Sequence, residues 1–308
     1  MNIIFLLVVT YCFLRIFLEK KTGWRLVSLG LVLALPAQAY SEAGALVCPD
    51  DHIEVVRVPY FDQLAKKNDA FFIDILSLAL EKTQSCLGDF RVVHFLHKYS
   101  SKRFRAELYK RNGVIDIYWS MNSPQIQKDL LPIKIPLLRG MNGYRVLVIR
   151  REDEDKFKNI RSVNDLSSLA AGQGVDWPDV DIMRNNGLKV ITSNESDLLY
   201  KMLAGKRFDY FPRGVHEAWN ELELNKDSNL MVSNDVVLYY PAPVFFIVNK
   251  NNRELADRIY RGLELAKADG SFQRLFNSFP NFVFGVNEMK SSRRFRLHLA
   301  APFAREHD

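Results

Sequence analysis

The chain has 308 residues, of which 48% are hydrophobic and 25% are charged, a balance typical of one large or two medium globular domains. Its formal net charge is +6, but lysines and arginines are spread along the chain, apart from one basic cluster between Lys290 and Arg296. The sequence has neither a patch of aromatic and basic residues nor a known nucleic-acid-binding motif, which argues against nucleic acid as a partner.

The N-terminal region has the pattern of a secretory signal peptide. Lys20 and Arg25 precede the apolar run 26–35, and an Ala-x-Ala cleavage site ends at Ala39. A positive start, a short apolar core and small residues before the cleavage point are the three parts of such a signal. The run is shorter than the ~20 residues that a membrane-spanning helix needs. We therefore expect an exported protein with a signal peptide around residues 20–39.

A second apolar stretch, Ile3–Leu14, lies upstream of this signal and is included in the leader 1–39. One interpretation is a translation start assigned too far upstream, with synthesis beginning near Leu18, which predicts a free periplasmic protein. The other is a genuine membrane segment that tethers the protein. A lipid anchor is not expected, because Val47 precedes Cys48 where such an anchor requires a small residue.

Strand-like and helix-like segments alternate behind the leader. Apolar residues at helical spacing, among them Phe71, Phe72 and Ile75, predict a helix, and β-rich runs predict strands. The first series is strand 52–58, loop 59–67, helix 69–83, strand 91–96, helix 101–111 and strand 114–119. This β-α-β-α-β succession indicates the α/β class, with a parallel sheet and helices on its faces.

A second α/β series follows. It consists of strand 144–150, helix 163–169, strand 170–175, helix 179–186, strand 188–192, helix 195–204, strand 208–211 and helix 215–224. An extended stretch, 236–248, leads to the last predicted helices, 253–267 and 270–279. The tail beyond Val286 is basic, and we expect it to be loosely ordered.

The two series predict two lobes joined by two extended segments, near 139–145 and 237–244. The expected boundaries are 48–141 with 242–285 for lobe 1, 142–241 for lobe 2, and 286–308 for the basic tail. Two crossing strands make a hinge, and ligands of open α/β sheets bind beyond the carboxyl ends of the strands. The pattern therefore predicts a ligand cleft between the lobes.

Two cysteines, Cys48 and Cys86, remain once the leader is removed. In an oxidising compartment such a pair predicts a disulfide. The order of elements supports it, because the helix of a right-handed β-α-β unit returns antiparallel to its strand and brings Cys86 near Cys48. We expect no metal site, since no further Cys or His stands near these two cysteines at ligand spacing, and His94 and His97 are interpreted as strand and strand-end residues.

Five short segments follow one another in the order and spacing of a known family. They are Gly113–Asp116, Gly140–Arg145, Met202–Tyr210, Tyr240–Phe246 and Asp269–Phe272. With them the chain resembles the type II periplasmic binding proteins, in the group that includes the amino-acid receptors of ABC transporters, over roughly residues 50–285. The resemblance implies a two-lobed Venus-flytrap fold with two hinge strands, in which a ligand favours the closed state through its extra contacts with the second lobe.

Three departures from the family's pattern bear on the ligand. Residues 123–126, Ser-Pro-Gln-Ile, stand where the family's amino-acid receptors carry Thr-x-x-Arg, whose arginine clamps the ligand carboxylate. Arg213 stands four residues after Asp209, where the family usually has an aspartate for the ligand ammonium. The turn that offers backbone N–H groups is replaced by residues 174–179, in which Asp179 as an N-cap would compete with an anionic ligand. An ordinary α-amino acid is therefore not expected.

Eight residues are candidates for ligand contact: Tyr60, Phe61, Tyr118, Trp119, Asp176, Trp177, Asp179 and Arg213. Arg213 follows a strand end and would meet an acidic or polyhydroxylated group, unless it is a solvated or salt-bridged surface residue. Trp177 suits a stacking platform or a cation–π contact. Strand alternation directs one residue of the Tyr118–Trp119 pair to the cleft and the other to the core. Turn or cap roles are the alternative for both aspartates.

The sequence carries none of the usual nucleophile, phosphate-loop or zinc-helix motifs, so we expect neither catalysis nor a cofactor. The predicted function is a monomeric periplasmic solute-binding protein that captures a small polar molecule, other than a standard α-amino acid, for an ABC-type transporter. Two alternatives remain. The same two lobes can serve as a ligand-sensing module for a membrane signalling protein, or as a periplasmic lyase or dehydratase.

Overall fold

The computed structural model describes residues 53–59, 63–97, 99–110, 112–291 and 293–301. All of them belong to one compact unit, Cys48–Asp308. None of the helices in these ranges combines the length and apolar character needed to span a bilayer. The leader 1–39, Cys48, Tyr60 and Phe61 lie outside the described residues, so the signal peptide, the tether, the disulfide and these two ligand contacts stay predictions. Cys86 is exposed.

The described residues form strands and helices that alternate through most of the chain. The strands are β1 (Glu54–Val58), β2 (Phe90–His94), β3 (Ile117–Met121), β4 (Leu130–Ile133), β5 (Tyr144–Arg150), β6 (Ala170–Gly174), β7 (Lys189–Ser193), β8 (Tyr210–Gly214), β9 (Leu230–Tyr239), β10 (Val244–Asn249) and β11 (Phe295–His298). The helices are α1 (Gln63–Leu87), α2 (Ser101–Tyr109), α3 (Pro124–Asp129), α4 (Asp179–Asn185), α5 (Leu199–Ala204), α6 (Ala218–Leu224), α7 (Arg253–Ala268), α8 (Ser271–Asn277) and α9 (Pro280–Lys290). The α/β class predicted from the sequence is confirmed.

Strands β1, β2, β3, β4 and β10 build what we call the first lobe. β1 and β2 pair directly in parallel, and α1 connects them along the chain. In a second sheet β10 lies between β3 and β4 and is antiparallel to both. α1 buries Phe71, Ile75 and Ala79, whose helical spacing forms an apolar stripe. The helix begins earlier than predicted, inside the stretch expected to be a loop, because polar residues do not by themselves prevent helix formation.

The second lobe is built on a six-stranded sheet in the order β11-β9-β5-β8-β6-β7. β6 runs parallel to β7 and β8, as predicted, but β5 runs antiparallel to both β8 and β9. The sheet of this lobe is therefore mixed, and the parallel sheet predicted from the first series is found in the first lobe only for β1 and β2. The antiparallel pairing of β5 with β9 follows from the hinge, because one crossing segment enters this lobe and the other leaves it.

The two crossing segments lie side by side. The amide of Leu137 donates to the carbonyl of Val244 at 3.0 Å, and the amide of Tyr240 donates to the carbonyl of Gly143 at 3.2 Å. The Asn142 side chain donates to the carbonyl of Ala242 at 3.1 Å. A Cβ atom on Gly143 would come within 2.2 Å of the Tyr240 carbonyl oxygen, so only glycine allows this approach. These contacts fix where the two lobes meet.

The C-terminal part differs from its prediction. α9 continues to Lys290, and β11 (Phe295–His298) pairs in parallel with β9 at the edge of the second sheet. Arg294 is buried, with its Nε donating to the carbonyl of Ser233 at 2.8 Å and its Nη1 donating to Glu288. The expectation of a loose basic tail from residue 286 is thus wrong as far as residue 301. Arg293 and Arg294 both pair with Glu288, and Leu297 is buried where β11 completes the sheet.

Candidate ligand-binding cleft

A cleft of about 580 Å³ lies between the two lobes. Strand β3 supplies Tyr118, Trp119 and Ser120 to the wall on the first lobe. The start of α4, strand β8 and the segment from β8 through α6 supply the wall on the second lobe. The crossing segments contribute Asn142 and Arg145. The predicted position of the site, between the lobes and beside the hinge, matches this cleft.

Stacked aromatic rings form the wall on the first lobe. The Trp119 indole stacks on Phe72 with ring centroids 5.0 Å apart, and on Tyr118 at 5.9 Å. The Tyr118 ring in turn stacks on Phe104 at 5.7 Å. Trp119 Nε1 donates a hydrogen bond to Asp69 Oδ1 at 3.0 Å. We call this set, Asp69, Phe72, Phe104, Tyr118 and Trp119, the aromatic wall.

Arg213 lies within a network of charges on the second lobe. Its Nε and Nη2 donate to the two carboxylate oxygens of Glu221 at 2.7 and 2.6 Å, and Nη2 is 3.1 Å from Glu217 Oε2. The Tyr200 hydroxyl donates to Glu221 Oε2 at 2.6 Å. The guanidinium carbon lies 5.0 Å from the Trp177 ring centroid. Burial alone would lower the pKa of Arg213, but Glu217 and Glu221 raise it well above its ordinary value.

Arg145 extends this network to the start of α4. Its Nη2 is 2.8 Å from Asp179 Oδ1, and its Nη1 is 3.8 Å from Glu217 Oε2. Its Nε donates to the Tyr240 hydroxyl at 3.2 Å, and that hydroxyl donates to Asp179. Burial opposes the charge on Arg145, but Asp179 and its neighbours raise the pKa above its ordinary value. Arg145, Asp179, Arg213, Glu217 and Glu221 are called the ionic wall from here on.

His216 is the residue before Glu217 of the ionic wall. Its imidazole is neutral, whereas the Glu217 carboxylate is charged. Burial lowers the pKa of His216, which keeps the imidazole neutral at pH 7. Its Nε2 is 3.9 Å from Glu217 Oε1, and its Nδ1 is buried with no hydrogen-bond partner among the described residues. Burial would raise the pKa of Glu217, but the positive charges of Arg213 and Arg145 lower it. Glu217 also accepts from the Gly214 amide at 3.0 Å, and it remains ionised.

Comparison with known proteins bears on the fold. No protein-family model matches the chain, and no curated protein matches it. An ancestral arginine-binding protein bound to arginine matches with a TM-score of 0.55 and 17% identity, over 74% of this chain and 100% of its own. AbpA of Streptococcus pneumoniae, an amino acid ABC transporter substrate-binding protein bound to L-arginine, matches with a TM-score of 0.51 and 14% identity, over 70% and 84%. AncCDT-1, an ancestral amino acid-binding protein and precursor of cyclohexadienyl dehydratase, matches with a TM-score of 0.52 and 16% identity, over 73% and 95%.

The chain has the two-lobed type II periplasmic binding fold. Its identity to these structures is low, so the likeness concerns the fold. The fold predicted from the five short sequence segments, with two hinge strands, is confirmed.

Five of the eight candidate residues come together in the cleft of this periplasmic binding fold: Tyr118, Trp119, Trp177, Asp179 and Arg213. Asp176 is not among the lining residues, and its backbone carbonyl lies 3.4 Å from Arg105 Nη2 on helix α2. Whether the five contact a ligand stays a proposal.

Several local expectations for these residues are wrong. Asp179 is not an N-cap, because α4 begins at Asp179 itself and its carboxylate binds Arg145 and Tyr240 instead. Arg213 lies within β8, paired with Val146, and not beyond the strand end. The strand that carries Tyr118 and Trp119 continues to Met121. Both of these aromatic residues are buried in separate apolar clusters, so strand alternation gives each a packing role while both border the cleft.

Five residues that line the cleft were not predicted from the sequence: Asp69, Arg145, His216, Glu217 and Glu221. The sequence contained a sign of the two glutamates, Glu217 and Glu221, because they stand four and eight residues after Arg213. The turn from β8 into α6 brings both of them close to Arg213. Arg145 ends the crossing segment Gly140–Arg145, but nothing in its surroundings along the chain indicated Asp179 as its partner.

Asp116 of the segment Gly113–Asp116 and Asp209 of the segment Met202–Tyr210 have the same structural use in the two lobes. Asp116 Oδ2 accepts from the Arg57 amide at 2.8 Å, and the Asp116 amide donates to the Arg57 carbonyl at 2.9 Å. Asp209 Oδ2 accepts from the Ala170 amide at 2.9 Å, and the Asp209 amide donates to the Ala170 carbonyl at 2.7 Å. Each aspartate therefore ties the start of one strand to its neighbour.

Proposed function

We propose that this protein captures a small polar solute in the cleft between its lobes and delivers it to an ABC-type transporter in the periplasm. The observation that carries the proposal is the cleft of about 580 Å³ whose two walls belong to different lobes. Pockets of this size take small organic molecules. The transport role is supported by the fold shared with AbpA, whose own description is that of a transporter's substrate-binding protein.

Capture by this fold requires that the ligand favour the closed arrangement of the lobes. A ligand does so only through contacts that it makes with both walls at once. The aromatic wall and the ionic wall are separated only by the cleft, and Arg105 Nη2 of the first lobe already lies 3.4 Å from the Asp176 carbonyl of the second. Contact with both walls is therefore within reach of a small molecule.

A standard α-amino acid is not the proposed ligand. Ile126 stands where the resemblance implies the arginine that binds the ligand carboxylate, and its side chain is buried in the first lobe. Ser123 there caps α3 by accepting from the Ile126 amide at 3.3 Å. Arg213 cannot replace that arginine without giving up Glu221, which already takes both of its bidentate donors. Breaking such a buried ion pair leaves a charge without a partner and strongly destabilises the protein.

The proposal is tested by thermal-shift screening of the protein from residue 40 onward against amino acids, amines, sugars and carboxylates. A solute present at 100 times its Kd should add about 2.7 kcal/mol of stability, because it binds only the folded state. We expect one polar class to give this shift and glutamine and glutamate to give none. If no compound shifts the transition, the capture function is wrong.

A lyase or dehydratase on the same fold is the second candidate, and one observation favours it. His216 is neutral and lies beside an ionised carboxylate in the cleft, which are the groups that proton abstraction needs. AncCDT-1 links this fold to a dehydratase lineage by its description. Incubation of the stabilising solute with the protein, followed by NMR, separates the two: a receptor returns the compound unchanged, whereas an enzyme converts it.

A further inference from the structure

The charges that line the described part of the cleft are unequal. Four carboxylates, those of Asp69, Asp179, Glu217 and Glu221, face two guanidinium groups, those of Arg145 and Arg213. With His216 neutral, these described side chains carry two more negative charges than positive ones. A cleft with low-dielectric walls concentrates such a potential and attracts solutes of the opposite sign.

The two arginines have little to offer an anion. Arg213 is held in bidentate fashion by Glu221 and also lies 3.1 Å from Glu217, and Arg145 is held by Asp179 at 2.8 Å. An incoming carboxylate would have to displace one of these partners and would meet the remaining carboxylates as like charges. Both the geometry and the charge count therefore disfavour an acidic ligand group.

Glu217 is the acceptor best placed for a ligand cation. It is shared between Arg213 at 3.1 Å and Arg145 at 3.8 Å, and neither contact is the bidentate pairing that Glu221 makes. Its side chain is 20% exposed, against 9% for Glu221 and 7% for Asp179. It keeps its negative charge because the neighbouring positive groups lower its pKa.

The opposite wall complements a cation as well. The rings of Tyr118 and Trp119 border the cleft, and Asp69, the hydrogen-bond partner of the Trp119 indole, lines it beside them. The Asp69 carboxylate adds a negative charge to this wall, and the apolar rings beside it exclude water, which strengthens the attraction for a cation. The two walls thus favour the same ligand charge by different means.

We propose that the ligand of this cleft is an organic cation without a carboxylate group, an amine or guanidine bound between Glu217 and the aromatic wall. This inference rests on the proposed capture function and names its ligand class. It separates this chain from its structural neighbours that bind arginine, because the cation is retained while the carboxylate is excluded.

Matched pairs of compounds test the inference. Agmatine is arginine without its carboxylate, and cadaverine is lysine without its carboxylate, so each pair differs in that group alone. Isothermal titration should show agmatine or cadaverine binding at least tenfold more tightly than the parent amino acid. Affinity should also fall as salt is added, because the attraction is partly between charges that salt screens.

The outcomes separate the inference from the proposed function. If arginine or lysine binds as tightly as its decarboxylated partner, or if only sugars or anions bind, the inference is wrong and solute capture stands. If no compound of the wider screen binds, both are wrong.

Substitutions locate the cation. Glu217→Gln should weaken amine binding at least tenfold, because the acceptor loses its charge. Glu223→Gln, in the helix α6 that begins directly after Glu217, should leave the affinity unchanged, since Glu223 is exposed and is not a lining residue. Circular dichroism checks that each variant is folded. Asp69→Asn provides a second variant on the opposite wall and should also weaken binding. Unchanged affinity in both Glu217→Gln and Asp69→Asn would overturn the inference.

Discussion

The aromatic wall and the ionic wall line the same cleft but are stabilised by different forces. Stacking and burial of apolar surface hold Phe72, Phe104, Tyr118 and Trp119 together, and such contacts tolerate exchange of one ring for another of similar size. The ionic wall consists of buried opposite charges, of which each member has value only while its partner is present. We therefore expect a single substitution in the ionic wall to lower the free energy of unfolding more than one in the aromatic wall.

The largest effect is expected from Arg213→Ala. The substitution leaves Glu221 and Glu217 without their main cation in a buried position, which should lower the free energy of unfolding by about 3–5 kcal/mol. Urea denaturation measures this loss. Arg207→Ala, at an exposed position of the same lobe, is the matched control and should change stability by less than about 0.5 kcal/mol. A loss for Arg213→Ala no larger than that of the control would contradict the ionic wall.

A smaller effect is expected from Trp119→Phe. The variant keeps an aromatic ring on Phe72 but loses the Nε1 donor to Asp69, so the free energy of unfolding should fall by about 1–2 kcal/mol. The same denaturation experiment checks it. A loss as large as that of Arg213→Ala would mean that the two walls do not differ in the way described.

The smallest and most specific effect concerns pH. The folded state lowers the pKa of Glu217, so this carboxylate stabilises the protein fully above its unfolded pKa of about 4.3 and loses that contribution as the pH falls through its lower folded value. The stability difference between the native protein and Glu217→Gln should therefore be constant from pH 7 to about 5 and shrink below that. Denaturation midpoints measured from pH 7 to 3 test this. A difference that does not change with pH would show that folding does not lower the pKa of Glu217.

The fold could be predicted because its signals are local. Helical spacing indicated α1, glycine breaks and β-rich runs indicated most strands, and the order of the segments indicated two lobes. The antiparallel direction of β5 relative to β8 escaped because it depends on how the chain crosses the hinge, which periodicity does not report. Strand β11 escaped because a basic segment gave no sign that its arginines would be paired.

Part of the site could also be predicted, because some of its residues stand out by local features of the sequence. Trp177 was found because its turn is unusual, and Arg213 because it departs from the family's pattern four residues after Asp209; both line the cleft. Their partners were missed where pairing is long-range, as between Arg145 and Asp179, which are joined only by the fold. Because these partners were missed, Arg213 was expected to meet an acidic or polyhydroxylated ligand group. In the structure Arg213 is already paired with Glu221.

The central claim is that a solute is held between two unlike walls. Amide hydrogen exchange, measured with and without the stabilising solute, tests it most directly. We predict slower exchange both in residues 117–121 of the first lobe and in residues 210–224 of the second, because a captured solute contacts both. Protection confined to one lobe, or found only away from the cleft, would contradict the account.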